Sequence, residues 1–184
     1  MNIFVLDSHP GIAASYHNDI HCRKMILESA QIICTVKHIY GETAPYKPTH
    51  KHHPCTLWAA RSFSNYIWLR ELTYYLNEEY KYRFDKTVDH ASYAAIRYVN
   101  APVRLPDIGP TDFALAMPKV FQYKDCSAVE CYRALYIHNK YSYTVGNKVK
   151  IMAKWTKRAD PFWYNKSTLL PFDRYLMPRC IEKK

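Results

Sequence analysis

Small and apolar residues recur at Cys22, Met25, Ile26, Ser29, Ile32, Ile33 and Val36, the spacing of one helix face. The intervening positions His17, His21, Lys24, Glu28, Gln31, Thr35 and His38 form an opposite, polar stripe. The pattern predicts a short helix from Gly11 followed by a long one from about Asp19 to about His38. Ahead of them, Ile3 to Leu6 is a short continuous apolar run closed by Asp7-Ser8-His9-Pro10, which reads as a buried strand ending in a turn.

A Pro- and His-rich loop, 44–54, carries no period. Beyond it a second long helix is expected over Thr56 to about Arg83, with Thr56 as N-cap and Trp58, Asn65, Leu69, Leu72 and Leu76 on one side. Asp89 to Val99 suits a third helix. Pro102, Pro106, Pro110 and Pro118 then break the chain into irregular structure, and Ser127 with Glu130 has the spacing of a capping box opening a helix to His138. The segment from about 140 to 184 reads as an irregular basic, aromatic tail. The expected fold is therefore mainly α: a compact helical single domain over 1–184 with a short N-terminal strand.

Charge adds what periodicity does not. The formal net charge is +10, and from Lys140 onward eleven basic residues face three acidic ones. A field concentrated in this way draws polyanions, nucleic acid first and anionic membrane or acidic protein after it, unless the surface is merely solvated. The six cysteines, at 22, 34, 55, 126, 131 and 180, form no C-x-x-C pair and read mainly as small core residues. Reduced thiols, with neither a signal-like segment nor a membrane-length apolar run, suit a cytoplasmic address, that of the host cell if the protein is phage-encoded.

Two groups of residues carry candidate chemistry. Spacings of four, three and four place His17, His21, Lys24 and Glu28 in a row on one helix side. Lining a cleft, Glu28 would act as acid or base and His21 as proton donor, with Arg23 or Lys24 holding phosphate; otherwise the row is a solvated face with a Lys24/Glu28 pair. The His17/His21 pair and the His50, His52, His53 loop also have metal-like or phosphate-binding composition, but no metal or other cofactor is assigned. The second group is the tail, where Lys154, Trp155, Lys157, Arg158, Trp163 and Tyr164 alternate cations with rings. Cations neutralise phosphates and rings stack on unpaired or flipped bases, unless those rings are core. Gly-rich phosphate loops, G-x-S-x-G, H-E-x-x-H and dinucleotide fingerprints are absent from the sequence.

The segments Met1 to Asp7, Asp19-Ile-His21, Lys24-Met-Ile-Leu-Glu28-Ser-Ala-Gln31, His53-Pro-Cys-Thr-Leu-Trp-Ala59, Phe113 to Pro118, Tyr132-Arg133 and Lys154-Trp155 occur in an order that resembles a widespread family of small tailed-phage proteins. The layout is similar, more faintly, to phage pyrimidine-dimer DNA glycosylases, small basic all-α enzymes that flip a base and cut its glycosidic bond. That family has a His seven residues before its catalytic Glu, the relation of His21 to Glu28, and a basic tail like Arg158 and Pro161-Phe-Trp-Tyr164.

The resemblance implies a DNA partner: a duplex with a flipped base at Glu28 and His21, contacted by Arg23, Lys24, His53 and the tail. It also has departures. The family's nucleophile is the α-amine of residue 2 after Met removal, whereas Asn2 is bulky enough to favour retention of Met1, and the family's two arginines around the Glu correspond to Leu27 and Gln31. The expected function is a glycosylase-like activity on DNA bases, with a non-catalytic nucleic-acid or host-protein binder and a base-modifying enzyme as alternatives.

Overall fold

The computed structural model describes residues 1–140, 142–145 and 149–164. Its helices are α1 (Pro10–Tyr16), α2 (Asp19–Ile39), α3 (Pro54–Ala59), α4 (Phe63–Arg83), α5 (Ala91–Ile96) and α6 (Ala128–Asn139), with a 3-10 turn at Lys119–Phe121. None among the described residues is long and apolar enough to cross a membrane.

The break between α1 and α2 is built by Asn18, whose side chain accepts from the His21 N–H at 3.0 Å and so starts the long helix. The apolar stripe of α2 is buried as its spacing requires, with Cys22, Met25, Ile26, Ile32, Ile33 and Val36 at 0–1% exposure. It packs along α4, which contributes Leu69, Leu72 and Leu76. Each of these leucines contributes about 1.5–3 kcal/mol by leaving water.

The single helix expected from Thr56 to Arg83 is two. Ser62 is extended (φ −150°), and its Oγ accepts from Ser64 N at 3.3 Å while donating to the Gly109 carbonyl. A serine that satisfies a new helix start and a distant loop outcompetes continuation of the helical ladder. His53, rather than Thr56, caps α3. The Ser127/Glu130 capping box forms with both reciprocal bonds and opens α6.

The apolar run Ile3–Leu6 is buried but is not a strand. Asn2 Oδ1 accepts from Ile3 N at 2.8 Å and Phe4 N at 3.1 Å, and Phe4 turns into the left-handed region at φ +40°. At the other end Arg133 Nε donates to the Leu6 carbonyl at 2.8 Å. Side chains thus do for this backbone what a neighbouring strand would have done.

After α6 the chain forms an antiparallel hairpin of β1 (Ser142–Val145) and β2 (Val149–Met152), with Ser142 opposite Met152, where irregular structure was expected. Residues 153–164 then fold back onto the helices. The remainder of the expected tail, from 165 onward, lies outside the described residues.

A buried ion network anchors this return. Arg83, fully buried, donates from Nε to Glu79 Oε2 at 2.7 Å, and from its terminal nitrogens to the carbonyls of His17 at 2.6 Å and Ser15 at 2.7 Å. Asp19 accepts from Thr156 N at 3.0 Å and Thr156 Oγ1 at 2.6 Å. Arg158 grips the other oxygen of Glu79 at 2.6 Å.

Candidate active site at Glu28

Glu28 lies midway along α2, on the side facing the start of the chain. Its side chain is 13% exposed. Oε2 accepts from the Asn2 backbone N–H at 2.7 Å and lies 3.7 Å from the Met1 α-amine, while Oε1 lies 3.4 Å from Lys24 Nζ one helical turn away. The Asn2-centred turn that replaces the expected strand is what delivers the amine to the carboxylate. Asn2 Nδ2 fixes the turn from the far side by donating to the Ala116 carbonyl at 2.8 Å.

His53 borders the same group. Its Nδ1 accepts from Cys55 N at 3.2 Å. Burial holds the imidazole below its ordinary pKa, and the positive Met1 amine and His50 push it further down while Glu28 pulls it up. Lys140, at the C-terminal end of α6, closes another side. Partial burial and then the charge of Lys24 lower its pKa, opposed by Glu28.

The polar row expected on one helix face divides in two. Lys24 is exposed and Glu28 is partly exposed, but His17 and His21 are buried. His17 precedes α2, and its Nδ1 lies 2.7 Å from the Ala13 carbonyl. The Nδ1 of His21 lies 2.6 Å from the Tyr136 hydroxyl, and its ring stacks on Phe4 with centroids 4.3 Å apart. Burial, followed by the influence of His17, Lys140 and Lys24, pushes the His21 pKa well below its ordinary value. His21 therefore supports the N-terminal turn from beneath through Phe4, as a neutral ring, instead of standing at the surface as a proton donor.

Arg23 is exposed, yet its guanidinium lies over Phe84, 5.0 Å from the ring centroid. Five residues of helix separate it from Glu28, a rotation of about 140°, so it faces a different side.

The tail residues also separate. Trp155 and Tyr164 are 4% and 6% exposed, with the Trp155 indole donating to the Tyr16 carbonyl at 2.8 Å. Both rings are core and offer no free face to a base. Lys157 pairs with Asp85 and Arg158 with Glu79, so these cations staple the return segment to α4. Trp163 is half-buried against Tyr16, beneath the Arg133 guanidinium. Lys154 remains exposed, as does Phe162.

No family model, curated protein or solved structure matches the chain. Among the described residues, no group of three or more His, Cys, Asp or Glu side chains is arranged to hold a metal ion.

Sequence reasoning named Met1 and Asn2 without foreseeing the turn that brings the Met1 amine to Glu28, and it missed Tyr136 and Lys140. The available signal was Asn2 itself, since Asn ahead of an apolar run favours a side-chain-closed turn over a strand. The approach of Lys140 to Glu28 depends on tertiary packing across more than a hundred residues.

Proposed function

We propose that the protein excises bases from DNA by a glycosylase-type reaction centred on Glu28. The observation that carries this reading is the Met1 α-amine 3.7 Å from a carboxylate that is also held by the Asn2 N–H and Lys24. An amine, a fixed carboxylate and a flanking lysine are the groups that glycosidic cleavage needs, and the resemblance to the pyrimidine-dimer glycosylases supports the same assignment.

In this reaction the amine lone pair forms a bond to C1′ of an extruded nucleotide as the glycosidic C–N bond breaks. The base leaves with the electron pair and takes up a proton. The ammonium first releases its extra proton to solvent; the Glu28 carboxylate then stabilises the positive charge developing on the sugar and relays the two protons of the neutral amine, one to the departing base and one to O4′ as the C1′–O4′ bond opens and the imine forms. The layout serves either chain start: with Met1 in place its own amine is the nucleophile, and with Met1 removed the nitrogen of Asn2, 2.7 Å from Oε2, becomes that amine. Asn2 therefore does not remove the chemistry.

The test is incubation with duplexes carrying ultraviolet photoproducts or modified bases, read as released base and as a borohydride-trapped protein–DNA adduct. Wild type should give both, and Glu28→Gln should retain binding while losing at least about 100-fold in release, the usual scale for a positioned acid or base. DNA binding with no release from any substrate would overturn the reading.

A further inference from the structure

Lys140 presents an unusual combination of burial and charge. Its side chain is half-buried at the end of α6, where its backbone carbonyl accepts from Asn18 Nδ2 at 3.4 Å. Its Nζ lies 6.0 Å from the centroid of the Phe4 ring, the ring that stacks on His21. Among the described residues no carboxylate lies within ion-pairing distance of it. The nearby Glu28 is already engaged by Lys24 and the Met1 amine. Three ammonium groups thus face one carboxylate.

Partial removal of an ammonium from water is unfavourable without a counter-charge, and a second ammonium nearby makes it more so. The depressed pKa of Lys140, from burial and from Lys24, expresses that cost. An anion placed between the lysines would relieve it. Among the described residues no carboxylate fills that role, and an anionic ligand would.

We propose that Lys140 and Lys24 together bind a phosphodiester of the DNA strand whose nucleotide is presented to Glu28. This rests on the reading of the protein as a DNA-acting enzyme and deepens it by assigning the groups that hold the strand. The pair lies beside the carboxylate, so it grips a phosphate adjoining the reacting sugar. Lys157 and Arg158 are committed to Asp85 and Glu79 and do not serve this purpose. The site is therefore made by α2 and the end of α6, with Lys24 as the sequence had offered and Lys140 in place of Lys157 and Arg158.

The experiment is a salt series of duplex affinities by fluorescence anisotropy for wild type, Lys140→Gln and Lys140→Arg, with the fold of each variant checked by circular dichroism. Lys140→Gln should weaken binding about tenfold at moderate salt and reduce the slope of log K against log salt by about one; Lys140→Arg should keep most of both. Replacing single phosphates of the strand by neutral methylphosphonate should reveal one position that costs wild type affinity and costs Lys140→Gln nothing further. Salt-dependent binding with the same slope in wild type and Lys140→Gln would overturn the phosphate site and leave the excision reading standing. Absence of any salt-dependent duplex binding by wild type would overturn both.

Discussion

The ring of His21 lies flat against Phe4, with planes 14° apart, while its Nδ1 meets the Tyr136 hydroxyl at 2.6 Å. His17 approaches both Phe4 and His21 edge-on, at 6.3 and 6.4 Å between centroids. Two neutral imidazoles thus lie beneath the turn that carries Met1 to Glu28. Protonating either would place charge in a site already bordered by Lys140 and Arg83.

Acid should loosen this turn. Burial is the main cause holding His17 down to about 4, and His21 is also depressed, whereas both histidines titrate near 6.5 in the unfolded chain. Between those limits the unfolded state binds protons that the native state excludes, so stability is full above the unfolded value and falls as pH drops through it. From pH 6.5 to about 4, His17 alone accounts for roughly 3 kcal/mol by linkage. Urea midpoints measured from pH 7.5 to 4.5 should fall, and His21→Gln should flatten part of that fall. Equal midpoints at pH 7 and 5 would contradict the assignment of buried, neutral rings.

The Glu79 and Asp19 network leads to a separate prediction about Arg83 and Arg158. Arg83 is fully buried with a hydrogen bond or ion pair from each of its three guanidinium nitrogens, so Arg83→Met leaves Glu79 and two carbonyls short of donors and should cost about 3–5 kcal/mol. Arg158 is 43% exposed and holds Glu79 from outside, so Arg158→Ala should cost no more than about 1 kcal/mol. Thermal unfolding ranks the two. Neither should reduce the salt slope of DNA binding, and a loss of one unit in Arg158→Ala would return that residue to the nucleic-acid surface.

The helices were legible where a local pattern decided them. The α2 stripe and the Ser127/Glu130 box depend on spacing within one element, and both form as read. The Ile3–Leu6 run was misread because apolar content signals burial without specifying what satisfies the backbone, and here Asn2 and Arg133 do so. Glu28 and Lys24 were legible as a polar pair on a helix. His21 was not legible as buried: its neighbour on the stripe, Lys24, is exposed, and the covering groups, Phe4 and Tyr136, come from distant parts of the chain. Trp155, Tyr164, Lys157 and Arg158 were not legible as packed or paired for a related reason, since alternating cations and rings describe a base-stacking surface and a stapled core segment equally well.

The aromatic residues of that segment give the sharpest separation between stability and recognition. Trp155 is 4% exposed and contacts Tyr164 at 4.7 Å between centroids, so Trp155→Ala should cost about 3–5 kcal/mol through lost burial and the cavity left behind. Phe162, by contrast, is 81% exposed, though it follows the buried Pro161 and lies beside the Arg133 guanidinium, 5.5 Å from the ring centroid. Removing its ring should leave stability within about 0.5 kcal/mol. A ring presented to solvent from an anchored segment, next to a cation, has a free face for an unpaired base, a contact worth about 1–3 kcal/mol. Phe162→Ala should therefore weaken single-stranded or gapped DNA about fivefold or more at unchanged melting temperature. Trp155→Ala should lower the melting temperature and, at temperatures where it is still folded, leave that affinity in place. The reverse assignment, affinity lost in Trp155→Ala and kept in Phe162→Ala, would mean that the return segment opens to bind DNA and that its packed form is the resting state.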